Sequence, residues 1–193
     1  SQKISFQING LNDTTIHLVK YFGEKLYYAD TAIMQDGRIQ FDGQKQVPGV
    51  YALWLPGQKY FDFVYNNEDI SMETTVPDLM GSLRVLESEE NQVFIPYIRF
   101  IGSHKSQVNQ LMTTRSTLEL GSKEYQDLTA QIEKINTEVK NYQNNLLIKH
   151  DGKLATKVVK MSMDIEVPSA PKDVNGNIID SNFSFNYYRK HFW

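Results

Sequence analysis

The sequence predicts an α+β fold, in which an N-terminal antiparallel β-sandwich is followed by a helical module that contains a hairpin. Three observations predict it. Apolar residues in the first part alternate with a period of two, as in Ile4, Phe6 and Ile8, which places them on one face of a strand. Turn residues interrupt that part at short, regular intervals, the spacing of a sandwich of short strands. Near Glu87 the period lengthens: Tyr125, Leu128, Ile132, Ile135, Val139, Tyr142 and Leu146 recur at steps of three and four, the seam of one helix. Residues 1–86 are therefore read as the sandwich and residues 87–193 as the helical module.

Within the sandwich, the runs 4–8, 16–21, 25–34, 38–42, 50–55, 60–65 and 70–75 supply the strands. Asp36-Gly37 offers the positive φ angles of a tight hairpin and Pro56-Gly57 suits a turn, so adjacent strands are expected to be antiparallel. Pro48 belongs at a strand entrance or an edge, where a missing N–H costs no ladder bond. Alternation turns Tyr51, Leu53 and Leu55, then Phe61, Phe63 and Tyr65, then Ile70 and Met72 towards one core. The opposite faces carry Val50, Ala52 and Trp54, and Tyr60 and Val64. A solvated sheet face reads more polar than that, so the helices or a partner are expected to cover Trp54.

The helical module opens at Ser88, a capping hydroxyl followed by Glu89 and Glu90 near the positive end of the helix dipole. A long helix follows, with Pro96 expected in or near its first turn because a deeper proline breaks the ladder. Gly121 stops it and Ser122 caps the next helix, about residues 123–150. So short a connection makes the two antiparallel. Only about three heptads precede Gly152, which favours packing within the chain over a coiled-coil dimer. Residues 154–163 add a third helix, on which Lys153, Lys157 and Lys160 read as a solvated face. Past Ile165, Pro168, Pro171 and Gly176 sustain neither period and imply a loop that wraps or links.

Composition excludes several function classes. Twenty Lys and Arg against 23 Asp and Glu give a formal charge of -3, too balanced for a phosphate-binding surface, so no nucleic-acid partner is expected. No stretch approaches the roughly 18 consecutive apolar residues of a membrane span, and no charged-then-apolar leader opens the sequence. With no cysteine, the region has no disulfide, thiolate nucleophile or Cys-ligated zinc of its own. His17, His104, His150 and His191 lack metal-ligand spacing. Ser103-His104 lies outside any nucleophile elbow, and Glu87, Glu89 and Glu90 are explained by a helix start. Asp173-Val174-Asn175-Gly176-Asn177-Ile178 imitates part of a calcium loop. With that glycine aligned, however, Pro171 and Asn182 fall where the first ligand and the bidentate Glu belong. No catalytic residue, metal or cofactor is assigned. The interaction candidates are the aromatics Trp54 and Tyr60 on the sandwich, and Tyr187, Tyr188, Phe192 and Trp193 at the C-terminal end.

The stretches Asp30-Thr31-Ala32 through Asp36-Gly37-Arg38, Pro48-Gly49-Val50-Tyr51 and Tyr60-Phe61-Asp62-Phe63 resemble the N-terminal β domain of envelope thioredoxin-like proteins of the TlpA and AhpC/TSA class. Ser88-Glu89-Glu90-Asn91, the helical hairpin, Pro171-Lys172-Asp173 with Gly176, and Tyr187-Tyr188-Arg189-Lys190-His191-Phe192 resemble the helical segment that precedes the thioredoxin fold there. The resemblance implies an exported protein of the Gram-negative periplasm or cell envelope, with or without a lipid anchor. Its thioredoxin-like domain would lie beyond Trp193 and hold any Cys-x-x-Cys. On that reading this region is not itself an enzyme. It positions the redox domain in cis or recruits its partners, the terminal aromatics meeting that domain, while the full-length protein belongs to the thiol-disulfide exchange class. Two alternatives stand beside it: a sandwich that binds a glycan or an apolar ligand, and a homodimerisation scaffold built on the heptad seam.

Overall fold

The computed structural model describes residues 2–22 and 25–164. Eight strands come first, β1 (Lys3–Asn9), β2 (Thr15–Phe22), β3 (Lys25–Ile33), β4 (Arg38–Asp42), β5 (Gly49–Leu55), β6 (Lys59–Tyr65), β7 (Ile70–Thr75) and β8 (Arg84–Glu87). Three helices follow, α1 (Glu89–Ser116), α2 (Lys123–Lys149) and α3 (Leu154–Asp164). The strands form two four-stranded sheets, in the orders β4-β1-β7-β8 and β3-β2-β5-β6. The predicted α+β class is what the chain adopts.

Two strand-level expectations are corrected. Not every neighbouring pair is antiparallel, because β1 and β7 run parallel, with Ile4 opposite Ile70 and Phe6 opposite Met72. Strands so far apart in sequence are joined by a long crossover rather than a hairpin, and the period of two carries no information about direction. Strand β8 was not anticipated, since its four residues Arg84-Val85-Leu86-Glu87 are largely exposed and do not alternate. The Asp36-Gly37 turn has the expected geometry, with φ of 52° and 75°, and Gln35 and Arg38 exchange backbone hydrogen bonds of 2.9 and 3.0 Å. The strands on either side of it nevertheless belong to different sheets, β3 to one and β4 to the other.

The core lies between the sheets as the alternation predicts. Tyr51, Leu53, Leu55, Phe61, Phe63 and Tyr65 are buried against Ile4, Phe6, Ile8, Ile70 and Met72. Phe6 meets Phe61 and Phe63 edge-on across the gap, at ring distances of 5.7 and 5.2 Å, the geometry aromatic quadrupoles favour.

A dense polar joint fixes the helices to this sandwich. Ser88 caps α1, its Oγ accepting from the Asn91 N–H at 2.9 Å, and donates to the Glu68 carboxylate at 2.6 Å. The same carboxylate accepts from the Glu89 and Glu90 N–H groups at 2.9 and 3.1 Å, which satisfies helix-start donors and opposes the dipole. Asn91, wholly buried, donates to the Val64 carbonyl at 2.7 Å and accepts from the Val64 N–H at 2.8 Å. Strand β6 is a sheet edge, so one side chain does there what another strand would do. Glu90 reaches the other way: its carboxylate accepts from the Leu154 and Ala155 N–H groups at 3.0 and 2.7 Å, and from Asn66 at 3.0 Å. The first turn of α1 thus holds both the edge of a sheet and the start of α3.

Pro96 lies about two turns past Ser88, deeper than expected. Pro96 and Gln92 are both solvent-facing, so the Gln92 carbonyl that loses its partner is open to water, while buried Ile95 and Tyr97 hold the helix down. The heptad seam of α2 faces α1 within the chain, with Ile132 and Leu146 buried and Tyr142 stacked on Phe100 at 4.2 Å. Buried residues of α1 stop at Ile101. A helix of 28 residues is about 42 Å long, against about 23 Å for a seven-residue strand. Its distal half therefore extends beyond the sheets with α2 alongside, ending near Leu120, which is 81% exposed. Among the described residues no helix is long and apolar enough to cross a membrane.

Candidate functional site

On the outer side of β5 and β6, Val50, Ala52 and Val64 are buried, and α1 packs along β6. The cover along β6 is therefore provided by helix α1. It thins towards the far end of the strands, where Trp54 and Tyr60 are half-buried. These two are direct cross-strand partners and stack with ring centroids 4.8 Å apart and planes 7° from parallel. The Trp54 Nε1–H is buried and has no hydrogen-bond partner among the described residues.

Beside this pair, β6 and α1 diverge and enclose a cleft of about 390 Å³ lined by Tyr60, Phe61, Asp62, Met80, Ile98, Arg99, Ile101, Gly102, Ser103 and Lys105. The local sequence explains the shape. Ile98 and Ile101 point to the sheet at helical spacing, and Gly102 contributes no side chain. Asp62 is buried and its carboxylate accepts from the Tyr21 hydroxyl at 2.8 Å. Arg99 donates to the carbonyls of Met80 and Leu83, at 3.3 and 2.6 Å.

Burial pushes the Lys105 amine down to about 8, since desolvation penalises the charged form. The sign of the consequence follows. The unfolded chain keeps this amine protonated to about 10.4, so between pH 8 and 10.4 the unfolded state binds more protons and unfolding free energy rises with pH. Lys105→Met is expected to remove this rise, so that the gap in stability between variant and parent shifts in the parent's favour as pH goes from about 8 to about 10.4. Comparing the two proteins by urea unfolding isolates this effect from buried Tyr51 and Tyr97. Burial raises their pKa, so they lose stability above pH 10. A gap independent of pH would rule the effect out.

Of the residues singled out from sequence, Trp54 and Tyr60 are brought together, whereas Tyr187, Tyr188, Phe192 and Trp193 lie outside the described residues, as do the 173–178 turn and His191. His104 stacks on Phe100 and sits 3.3 Å from Glu138, and His17 bonds Thr31 at 2.9 Å. Among the described residues no group of three or more His, Asp or Glu side chains is placed to hold a metal ion. Lys105 and Asp62 escaped sequence reasoning because neither sits in a motif. The only available signal was polar residues on faces otherwise assigned to packing. A second surface also went unread. Strand β3 is the free edge of its sheet, and Leu26, Tyr27, Tyr28 and Ile33 on it are exposed, Tyr28 to 74%.

Residues 2–94 match a protein-family model described as a domain of unknown function (DUF4369), a span that takes in the whole sandwich and the first turns of α1. No curated protein and no solved structure matches the chain.

Proposed function

We propose that this chain is a non-catalytic interaction region, which positions a thioredoxin-like domain of an envelope protein or recruits that domain's partners. The observation that carries the reading is the polar joint. Ser88, Glu68, Glu90 and Asn91 are consumed in fixing the helices to the sandwich. A region that spends its polar chemistry on a fixed angle between two bodies is built to hold things in place. The exposed apolar edge of β3 adds a surface of the kind that pairs with another chain. The thioredoxin-like assignment itself, and the envelope location with it, rest on the residue resemblance.

The reading is tested in the full-length protein. The coding frame beyond Trp193 is expected to encode a thioredoxin-like domain. Replacing Leu26 and Tyr28 by Ser is then expected to slow thiol-disulfide exchange with a protein partner, while exchange with dithiothreitol stays unchanged. A frame that encodes no such domain, or partner exchange indifferent to both substitutions, would refute it.

A further inference from the structure

We propose that the free edge of β3 pairs antiparallel with β3 of a second copy of this chain, about a two-fold axis at Tyr27. The pairing joins one four-stranded sheet from each copy into a single continuous sheet. This deepens the interaction role above by naming what the edge meets, and it rests on that reading only in taking β3 as a contact surface. Strand β3 ends the order β3-β2-β5-β6, so its outward main-chain groups have no strand beside them. A second strand supplies their partners. Leu26, Tyr27 and Tyr28 stand exposed along that edge, ready to be covered by the same event.

What selects a second copy is the self-complementary order of the side chains. Against β2, Tyr28 pairs with Val19 and Asp30 with Leu18, which leaves Ala29 as an extra residue with no partner of its own. The Ala29 carbonyl is met instead by the Gln46 side chain at 3.5 Å. With Ala29 set aside, the ladder along β3 reads Lys25, Leu26, Tyr27, Tyr28, Asp30. Lys25, Tyr27 and Asp30 share one face, and Leu26 and Tyr28 share the other. A two-fold axis normal to the sheet keeps each face on its own side and sets this run against its own reverse. Tyr27 then stands opposite Tyr27 of the second copy, while Leu26 meets Tyr28 and Lys25 meets Asp30, the last two pairs each formed twice. Lysine on a sheet edge ordinarily discourages pairing; in this register it faces a carboxylate. Among the described residues neither Lys25 nor Asp30 is in an ion pair within its own chain, and Asp30 accepts from the Thr31 N–H at 2.8 Å through one oxygen. In a regular strand, residues 25 and 30 would point to opposite faces. The bulge is what makes the charges complementary.

The chain has no cysteine, so Tyr27→Cys carries a single thiol, which the two-fold axis places opposite itself and within reach of a disulfide. Mild oxidation of this variant is expected to give a covalent dimer. Ile33→Cys, exposed on the same strand but away from the axis, is expected to stay uncrosslinked under the same conditions. Sedimentation of the parent chain over about a hundredfold range of concentration should show one chain passing to two. Asp30→Lys sets like charges opposite each other twice and should weaken that association about tenfold or more, and adding Lys25→Asp should restore it. A mass of one chain throughout, cross-linking no greater at position 27 than at position 33, or a charge reversal that the double exchange does not restore would each overturn the pairing. A monomer in which Leu26 and Tyr28 still govern exchange with a protein partner would overturn the pairing alone and leave the interaction role standing.

Discussion

Replacing Asn91 by Ala is expected to lower unfolding free energy by about 3 kcal/mol or more. Asn91 is 0% exposed and its amide engages both main-chain groups of Val64, so truncation leaves a buried N–H and a buried carbonyl without partners. Each costs about 1–3 kcal/mol, and a small cavity adds to that. The pairing is directional, which yields a sharper control. Asn91→Asp keeps an acceptor for the Val64 N–H but turns a carboxylate oxygen towards the Val64 carbonyl, so it should do little better than Ala despite its matching shape. Urea unfolding measures the loss, and hydrogen exchange at the Val64 amide localises it. A loss below about 1 kcal/mol, or Val64 exchange at the parent rate, would show that the sheet edge does not depend on this side chain.

The contrast between Asn91 and its neighbours explains what was legible in the sequence. Residues whose roles depend only on periodicity were readable: Tyr51, Leu53 and Phe63 face the core, and the α2 seam faces α1, because strand and helix geometry fix those directions from spacing alone. Ser88 as a cap was readable for the same local reason. What no spacing carries is a partner distant in sequence. Glu68 sits 20 residues before the cap it completes, and Glu90 precedes the α3 amides it holds by more than 60. Both carboxylates look from sequence like ordinary surface charges. Strand order was hidden likewise, since alternation in β1 and β7 is the same whether they run parallel or antiparallel.

The candidate site divides along that line. Trp54 and Tyr60 were visible because too many apolar residues fell on faces that should have been solvated, and the structure pairs them. The cleft beside them was not visible, because it is lined by residues of β6 and α1, far apart in sequence, that no spacing brings together.

Glu90 permits a test of the other half of the joint. Its carboxylate receives the first N–H groups of α3 and lies almost wholly buried. Glu90→Gln keeps the shape but offers an amide N–H₂ where a donor already points, so one of the two α3 bonds is replaced by opposed donors. The expected loss is about 2 kcal/mol, and about 3 kcal/mol for Glu90→Ala, which leaves both α3 donors and Asn66 without the carboxylate. The two variants should differ from Asn91→Ala in where the damage falls. Helix α3 packs on α1 and α2 through Ala155, Thr156, Val159 and Ser162, with Leu154, Val158 and Met163 beside them, and its first turn depends on the Glu90 carboxylate. It is therefore expected to open locally before the sandwich unfolds. Amides of α3 should then exchange much faster in Glu90→Gln, while those of Leu18 and Leu53 in the central strands keep their protection. If α3 retains its protection, or if strands and helix lose theirs together, the carboxylate is not the separate fastener of α3 that its hydrogen bonds describe.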